Sequence, residues 1–265
     1  MSNLIQRITE KTVPPGSIAA WWLGGSGFVF KTPAGVVVFL DAYLSNVCEA
    51  IWKLPRFAPT LIEPADVQAD AWLSSHWHED HLDPGSLPVV ARVSPSTRFV
   101  MPPTGYARAG SWGVPVERIT MMKWGDVLQI KDLKIRSVYA RHDAGIPGHD
   151  SPDAMGFILE SQGKKIYHTG DSEYDNKLRL LHHEKFDVAT ACINGVTGNM
   201  NAHEAAMLCW QLGARTVLPH HHELWGVRPH SEEATWDPEP FAETYKKLGG
   251  QGKLILPVRG QEMLF

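Results

Sequence analysis

The hexapeptide HWHEDH at residues 76–81 constrains this chain more than any other stretch of its sequence. It places three histidines and the carboxylate of Asp80 within six positions, and such nitrogens and oxygens are ligands for zinc, manganese and iron. The preceding residues 71–75 are mostly apolar and predict a short buried strand. Residues 82–86 predict a turn into a helix, with Asp83 as N-cap and Pro84 at the first helical position. We therefore expect these histidines on a loop at the edge of a sheet.

The spacing of the hexapeptide suits more than one metal position. The side chains of His76, His78 and Asp80 alternate by two, and His81 breaks that alternation. One short loop can therefore supply ligands to two adjacent metal positions. The competing interpretation is a polar loop whose histidines face water. Four potential ligands directly after an apolar strand argue against that interpretation.

Composition narrows the class of protein. The chain has 265 residues, of which 43% are hydrophobic and 20% charged, which is ordinary for a globular protein. Its net charge is −4 and it has no run of Lys or Arg, so we expect no nucleic-acid partner. Cys48, Cys192 and Cys209 are odd in number and form no CxxC pair, which is typical of a reducing compartment. We find no signal-peptide pattern and no apolar run near the ~18 residues of a membrane helix, and therefore expect a cytoplasmic protein without membrane contact.

Short apolar runs separated by Gly- and Pro-rich turns organise the rest of the chain. Three strands within residues 18–40 predict a meander, and two successive halves of the chain each run strands first, then helix and strand. This order predicts an α+β fold of two packed sheets with helices outside, as one domain over residues 1–265. Residues 42–68 and 141–153 are expected to be long loops. Further strands are expected at 98–101, 127–130, 133–139, 155–160, 164–168, 188–192, 216–218 and 253–258, and helices at 84–92, 104–111, 174–183, 202–212 and 238–248.

Other potential ligands follow later strands. His142 comes after the strand at 133–139, Asp171 after 164–168, and the histidines at 220–222 after 216–218. Strand ends are where a sheet gathers the side chains of a site. Taken singly, Asp171 can instead cap the following helix, and His142 can lie on a surface loop. The histidines without such placement are expected to be exposed or otherwise satisfied: His149, His182, His183 and His230.

With these residues in place, the chain resembles the metallo-β-lactamase superfamily. HWHEDH matches its HxHxDH signature, and the later His, Asp and His follow in its order. Three phrases, AAWWLGGSGF at 19–28, IYHTGDSEY at 166–174 and LPHHHELW at 218–225, are similar to the L-ascorbate-6-phosphate lactonase group. The resemblance implies a four-layer αββα sandwich, with two mixed β-sheets and a metal site at one edge between them. The chain departs from that group in residues 42–70 and 141–153 and in carrying His142.

The resemblance also implies roles for individual residues. Asp41, at the end of an early strand, would stand behind the metal site and hold a ligand histidine. His222 competes with His221 for the last ligand position, and we favour His221 because alternate residues after Pro219 should point into the site. Arg141, His222, Trp52 and Trp225 are expected to line the substrate pocket. The implied ligands are His76, His78 and His142 at one metal position, Asp80, His81 and His221 at the other, and Asp171 bridging them.

These ligands suit two divalent ions, zinc or manganese first, with iron or a single metal also compatible. The expected activity is hydrolysis of a small-molecule lactone or related ester by metal-bound hydroxide, with Asp80 orienting the hydroxide or moving its proton. A phosphodiesterase is the alternative for the same site. A di-iron redox protein is disfavoured, because such members replace the second histidine with glutamate and this chain has His78. A metal-binding protein without turnover is the non-enzyme alternative, and the sequence is compatible with a monomer or a homo-oligomer.

Overall fold

Two seven-stranded sheets form the centre of the structure. The computed structural model of the chain describes residues 3–143, 145, 147–196, 198–226 and 237–265. In the first sheet, the strand order is β14-β1-β2-β3-β4-β5-β6. Its strands are β1 Ala19–Gly24, β2 Gly27–Lys31, β3 Val37–Leu40, β4 Ala71–Leu73, β5 Arg98–Met101, β6 Ile119–Met121 and β14 Glu262–Leu264.

The second sheet has the order β13-β12-β11-β10-β9-β8-β7. Its strands are β7 Val127–Ile130, β8 Leu133–Tyr139, β9 Met155–Ser161, β10 Lys164–His168, β11 Val188–Cys192, β12 Thr216–His220 and β13 Lys253–Leu254. Each sheet combines antiparallel pairs among its earlier strands with parallel pairs among its later ones. Both sheets are therefore mixed, and each is built mainly from one half of the chain. The last strand, β14, is the exception, because it pairs with β1 in the first sheet.

Alternation of side chains along the strands creates three apolar layers. Between the sheets, Trp22 and Phe28 of the first sheet share a buried cluster with Phe157 of the second. Trp21, Phe39 and Trp72 point the other way and pack under helices, as do Ile158, Tyr167 and Val217 on the outer face of the second sheet. The helices are α1 Leu4–Glu10, α2 Val47–Trp52, α3 Leu87–Val93, α4 Pro103–Ser111, α5 Asn176–Arg179, α6 Ala202–Leu212 and α7 Glu239–Lys247. The predicted four-layer αββα sandwich is confirmed.

Several local expectations differ from the structure. Helices α1 and α2 lie in segments where no helix was expected, and the short strands β6 and β14 were missed. Helix α3 begins at Leu87 with Ser86 as N-cap, so the assignment of Asp83 as N-cap was wrong. The Asp83 carboxylate instead accepts hydrogen bonds from the backbone nitrogens of Leu44 and Ser45, at 2.9 and 2.8 Å. These bonds fasten the segment after β3 to the end of the loop with the candidate ligands at residues 76–81, named the metal loop.

Strand β12 was expected to stop at Pro219, but it continues to His220. Proline is tolerated there because alternate residues of β12 face β13, which ends at Leu254 and pairs no further than Val217. The missing N–H of Pro219 therefore removes no ladder bond on that side. The extra residues carry the strand to the edge at which the candidate ligands gather.

The carboxyl ends of the parallel strands lie at one edge of the sandwich. Asp41 follows β3, the metal loop follows β4, and Asp171 follows β10. Parallel neighbours deliver the residues after them to the same edge. Among the described residues, no helix is long and apolar enough to span a membrane.

Candidate metal centre

Three buried histidines form one ligand cluster at this edge. His76 and His78 come from the loop after β4, and His142 follows β8. Nε2 of His76 lies 2.9 Å from Nδ1 of His78, and Nε2 of His142 lies 3.0 Å from the same Nδ1. Three imidazole nitrogens thus converge on one point, as a metal position requires.

The second cluster combines two histidines with two carboxylates. Nε2 of His221 lies 3.4 Å from Oδ2 of Asp80 and 3.2 Å from Oδ2 of Asp171. Nε2 of His81 lies 3.6 and 3.3 Å from the same two oxygens. Asp171 also groups with His76 and His81, so its carboxylate lies between the two clusters. The resemblance implies a bridging role for Asp171, and that role stays a prediction.

Each of the five histidines uses its outer ring nitrogen in a hydrogen bond, and the inner nitrogen faces the cluster. An acceptor at the outer nitrogen fixes the proton there and leaves the inner lone pair free for a metal. The outer contacts are His76 Nδ1 with Ser75 Oγ at 3.0 Å, His78 Nε2 with the His149 carbonyl at 2.9 Å, His81 Nδ1 with Asp41 Oδ2 at 3.1 Å, His142 Nδ1 with the Gly198 carbonyl at 2.8 Å, and His221 Nδ1 with the Asn194 amide at 3.1 Å.

The electrostatics of the second cluster demand positive charge. Burial opposes ionisation of Asp171, but His221 and His81 hold its pKa well below the usual range. Burial likewise opposes protonation of His221, but Asp171 and Asp80 raise its pKa to about 9. The same carboxylates, together with Asp41, raise the pKa of His81 well above its usual value. Protons on these histidines therefore balance the carboxylates, and a divalent cation can replace them.

The first cluster suits a metal because its surroundings keep His76 and His78 neutral. Burial, then the neighbouring histidines, lowers the pKa of His78 to about 4 and that of His76 well below its usual value. Both imidazoles are thus neutral near pH 7, which is the form that binds metal. Five imidazoles and two carboxylates with this pattern of protons fit zinc, manganese or iron.

Backbone geometry at two positions brings the clusters together. Asp41 adopts a left-handed conformation, with φ 45°, while its Oδ1 accepts a hydrogen bond from the backbone nitrogen of Ser75 at 2.7 Å. Gly170, with φ +68°, precedes Asp171, and a Cβ there would lie 2.9 Å from the Cβ of Ser75. Glycine is therefore needed where the turn after β10 passes the metal loop.

His222 belongs to none of the ligand clusters found among the described residues. Its ring lies 4.5 Å from that of Trp22, and neither ring nitrogen has a hydrogen-bond partner among those residues. The geometry therefore favours His221 over His222 as the last ligand. The expected alternation of side chains after Pro219 is consistent with this choice. His220 and His222 both turn from the clusters, while His221, at φ 63°, faces them.

Three of the four expected pocket residues, Arg141, Trp52 and Trp225, lie near histidines of the first cluster. Arg141 places Nε 3.1 Å from Glu173 Oε2 and is half exposed, beside a cavity of about 320 Å³ that His142 also lines. Trp225 packs against Trp52, with ring centroids 6.2 Å apart, and Trp52 in turn lies 6.5 Å from the ring of His78. Aromatic side chains from α2 and the segment after β12 therefore stand beside the first cluster.

Two residues that the sequence did not single out, Ser26 and Asn199, contact a candidate ligand. Ser26 donates to Oδ1 of Asp171 at 3.3 Å, and Asn199 donates to Oδ2 of the same carboxylate at 2.9 Å. His168 stands behind Asp41, with Nε2 3.3 Å from Oδ2. The signal in the sequence is the Asn- and Gly-rich segment at 193–201, which directly follows β11 at the same sheet edge. Of the histidines not expected to be ligands, His149 contributes its carbonyl, His182 and His183 are exposed, and His230 lies outside the described residues.

Comparison with known proteins places the chain in a family. Residues 20–221 match the family described as "Beta-lactamase superfamily domain". Proteins named probable L-ascorbate-6-phosphate lactonase, from Shigella boydii and Escherichia coli, are 27% and 28% identical over 279 aligned residues, covering 89% of this chain and 79% of each relative.

Solved structures share the fold. A metallo hydrolase from the hyperthermophilic archaeon Ignicoccus hospitalis has a TM-score of 0.72 at 20% identity, covering 94% of this chain and 98% of that one. An isothiocyanate hydrolase from Delia radicum gut bacteria has a TM-score of 0.73 at 18% identity, covering 93% and 99%. Because the family match spans most of the chain and includes the HWHEDH loop, the protein belongs to the metallo-β-lactamase superfamily.

Proposed function

We propose that the protein is a metal-dependent hydrolase that opens a lactone or cleaves a related small-molecule ester. The observation that carries this proposal is the convergence of five buried histidines and two buried carboxylates at one edge of the sandwich. Five histidines turn their inner nitrogens to the site, while two ionised carboxylates complete it. The names of the curated relatives support a lactone as substrate class. Their identity of 27–28% supports the reaction class and leaves the acid portion of the substrate open.

The proposal assigns two metal positions. His76, His78 and His142 would hold one ion, and Asp80, His81 and His221 the other, with Asp171 between them. We favour zinc or manganese, with iron also compatible with these donors. The three lone pairs of the first cluster and the negative charge of the second would each be satisfied by a divalent ion.

A divalent ion bound here would lower the pKa of water from 15.7 to about 7 and polarise a carbonyl oxygen. The carboxylate of Asp80 would accept the proton that the attacking water loses. Burial raises the pKa of Asp80, but His81 and His221 outweigh it and lower the pKa, so this carboxylate stays ionised near neutral pH. A proton acceptor that is ionised and close to the reacting atoms is what general-base catalysis requires.

The surroundings of the clusters would orient the substrate. Trp52 and Trp225 offer a half-buried aromatic wall beside His78, which suits the apolar part of an ester. Arg141 borders the cavity next to His142 and offers a cation to an anionic substituent.

We place the protein in the cytoplasm, because its three cysteines are buried free thiols.

Metal analysis followed by turnover assays tests the proposal. The metal content of protein purified without chelator would be measured by elemental mass spectrometry. Hydrolysis of simple lactones, an aryl ester and a bis-aryl phosphodiester would then be followed with zinc, manganese or iron restored. About two ions per chain with lactone or ester turnover are expected for the arrangement above.

Other outcomes would revise the proposal in specific ways. One ion per chain with lactone turnover would retain the reaction and remove His142 from the ligands. Phosphodiester turnover alone would favour the phosphodiesterase. Bound metal without turnover of any substrate would favour a metal-binding protein, and absence of metal would contradict the metal-dependent site itself.

A further inference from the structure

The loop between β11 and α6 contacts three of the seven candidate ligands. The Asn194 amide lies 3.1 Å from His221 Nδ1, and the Gly198 carbonyl lies 2.8 Å from His142 Nδ1. Asn199 donates to the Asp171 carboxylate at 2.9 Å. These three ligands follow three different strands, so one segment, residues 193–196 and 198–201, reaches ligands from three parts of the chain.

The loop is held firmly in place. The Gly195 nitrogen donates to the Met200 carbonyl at 3.0 Å, which closes the loop on itself. Asn201 then caps α6, and the side chain of Glu204 reaches back to the Asn201 nitrogen. A Cβ on Gly198, where φ is +80°, would lie 2.9 Å from Nδ1 of His142. The backbone at position 198 is therefore so close to His142 that only glycine fits there.

The orientation of the Asn194 amide matters for His221. With its Nδ2 facing His221 Nδ1, the imidazole would have to accept there and carry its proton on Nε2. That nitrogen faces Asp80 and Asp171, so this tautomer could not bind a metal. In the same orientation Asn194 Oδ1 is buried and has no hydrogen-bond partner among the described residues. Rotating the amide by half a turn pairs the otherwise unpartnered oxygen with the Nδ1 proton of His221, and carboxamide atoms are assigned from the bonds they can make.

We propose that Asn194 is a positioning residue whose amide oxygen accepts the Nδ1 proton of His221 and so holds its Nε2 lone pair toward the second metal position. This inference rests on the proposed function. It gives His221 the same arrangement as the other four histidines, each of which has an oxygen at its outer nitrogen. An outer partner of this kind typically changes metal affinity 10–100-fold when it is removed.

Two substitutions separate the oxygen from the amino group of the amide. Asn194→Asp keeps an oxygen acceptor and removes the N–H donors, whereas Asn194→Leu removes both. Asn176→Leu, on the exposed first turn of α5, is the matched control. Zinc dissociation constants would be measured by competition with a chromophoric chelator, and urea unfolding of the metal-free variants would compare their folds.

We expect zinc binding to weaken about 10–100-fold in Asn194→Leu and to stay near the wild-type value in Asn194→Asp and Asn176→Leu. Equal weakening in Asn194→Asp and Asn194→Leu, or no weakening in either, would overturn the inference. Wild-type protein that binds none of zinc, manganese and iron would instead overturn the proposed function and this inference with it.

A measurement on the wild type keeps the inference testable if Asn194→Leu does not fold. Long-range ¹H–¹⁵N correlation spectra of the zinc-loaded protein report which nitrogen of each histidine carries a proton. We expect a protonated Nδ1 and a ligated Nε2 for His221. A proton on Nε2 of His221 would refute the role of the Asn194 oxygen.

Discussion

Replacing Gly170 by alanine should disturb the turn that delivers Asp171 to the site. The new Cβ would lie 2.8 Å from the carbonyl oxygen of Met155 and 2.9 Å from the Cβ of Ser75, both closer than ordinary contacts. Ser75 precedes the candidate ligand His76, so relief of the overlap must move the metal loop, the turn or both. We therefore expect losses of stability and of metal affinity together.

Gly163→Ala is a matched control, because it carries the same kind of backbone strain without a close contact. Gly163, in the β9–β10 turn, has φ +83° against +68° at Gly170, but a Cβ there would meet nothing within 4 Å. Left-handed strain costs about 1–2 kcal/mol in either variant. The reduced entropy of the unfolded chain returns about 0.4–1 kcal/mol. Gly163→Ala should therefore lower the free energy of unfolding by roughly 1 kcal/mol.

The overlap at Gly170 adds to this value. Forcing extra atoms into a packed interior typically costs about 1–3 kcal/mol. Gly170→Ala should therefore lose about 2–4 kcal/mol in urea unfolding of the metal-free protein, and zinc binding should weaken about 10–100-fold. If Gly170→Ala and Gly163→Ala lose equal stability, or bind zinc equally well, the reasoning from close contact at this turn is wrong.

Two further predictions concern the histidines. His78→Ala should abolish turnover and leave the urea midpoint of the metal-free protein close to wild type or higher. His149→Ala should leave turnover nearly unchanged, because only the backbone carbonyl of His149 contacts His78. Full activity of His78→Ala would refute the site. The metal-free protein should become less stable as pH rises from about 6.5 through about 9, because the unfolded chain loses the His221 proton near the ordinary pKa while the folded chain holds it up to its raised pKa of about 9. The raised pKa of His81 acts in the same direction. Zinc should remove this decline by replacing the protons, and urea midpoints that do not change between pH 7 and 9 without metal would contradict the charge balance.

Sequence patterns predicted the central strands of the two sheets better than the segments that join them. Strands β5, β7, β8, β10 and β11 were predicted with their observed bounds, because each is a compact apolar run ended by turn residues. Strand β14 was missed because it is short and half exposed, and its pairing with β1 depends on residues far apart in the chain. Asp83 was misassigned for a related reason, since its partner Ser45 lies 38 positions away.

The class of chemistry follows from local sequence, because HWHEDH after an apolar strand, followed by His142, Asp171 and the histidines at 220–222, indicates metal binding at a sheet edge. Alternation after Pro219 favoured His221 over His222, and the fold supplies the contacts that support this choice. Both residues follow β12 directly. Their spacing shows that the two side chains point in different directions, but the contact of one of them with a carboxylate depends on other strands. That choice depends on where β10 and β4 deliver Asp171 and Asp80. The outer partners of the histidines, above all Asn194 and the Gly198 carbonyl, were likewise decided by packing, because a hydrogen bond between distant segments leaves no periodic trace in the sequence.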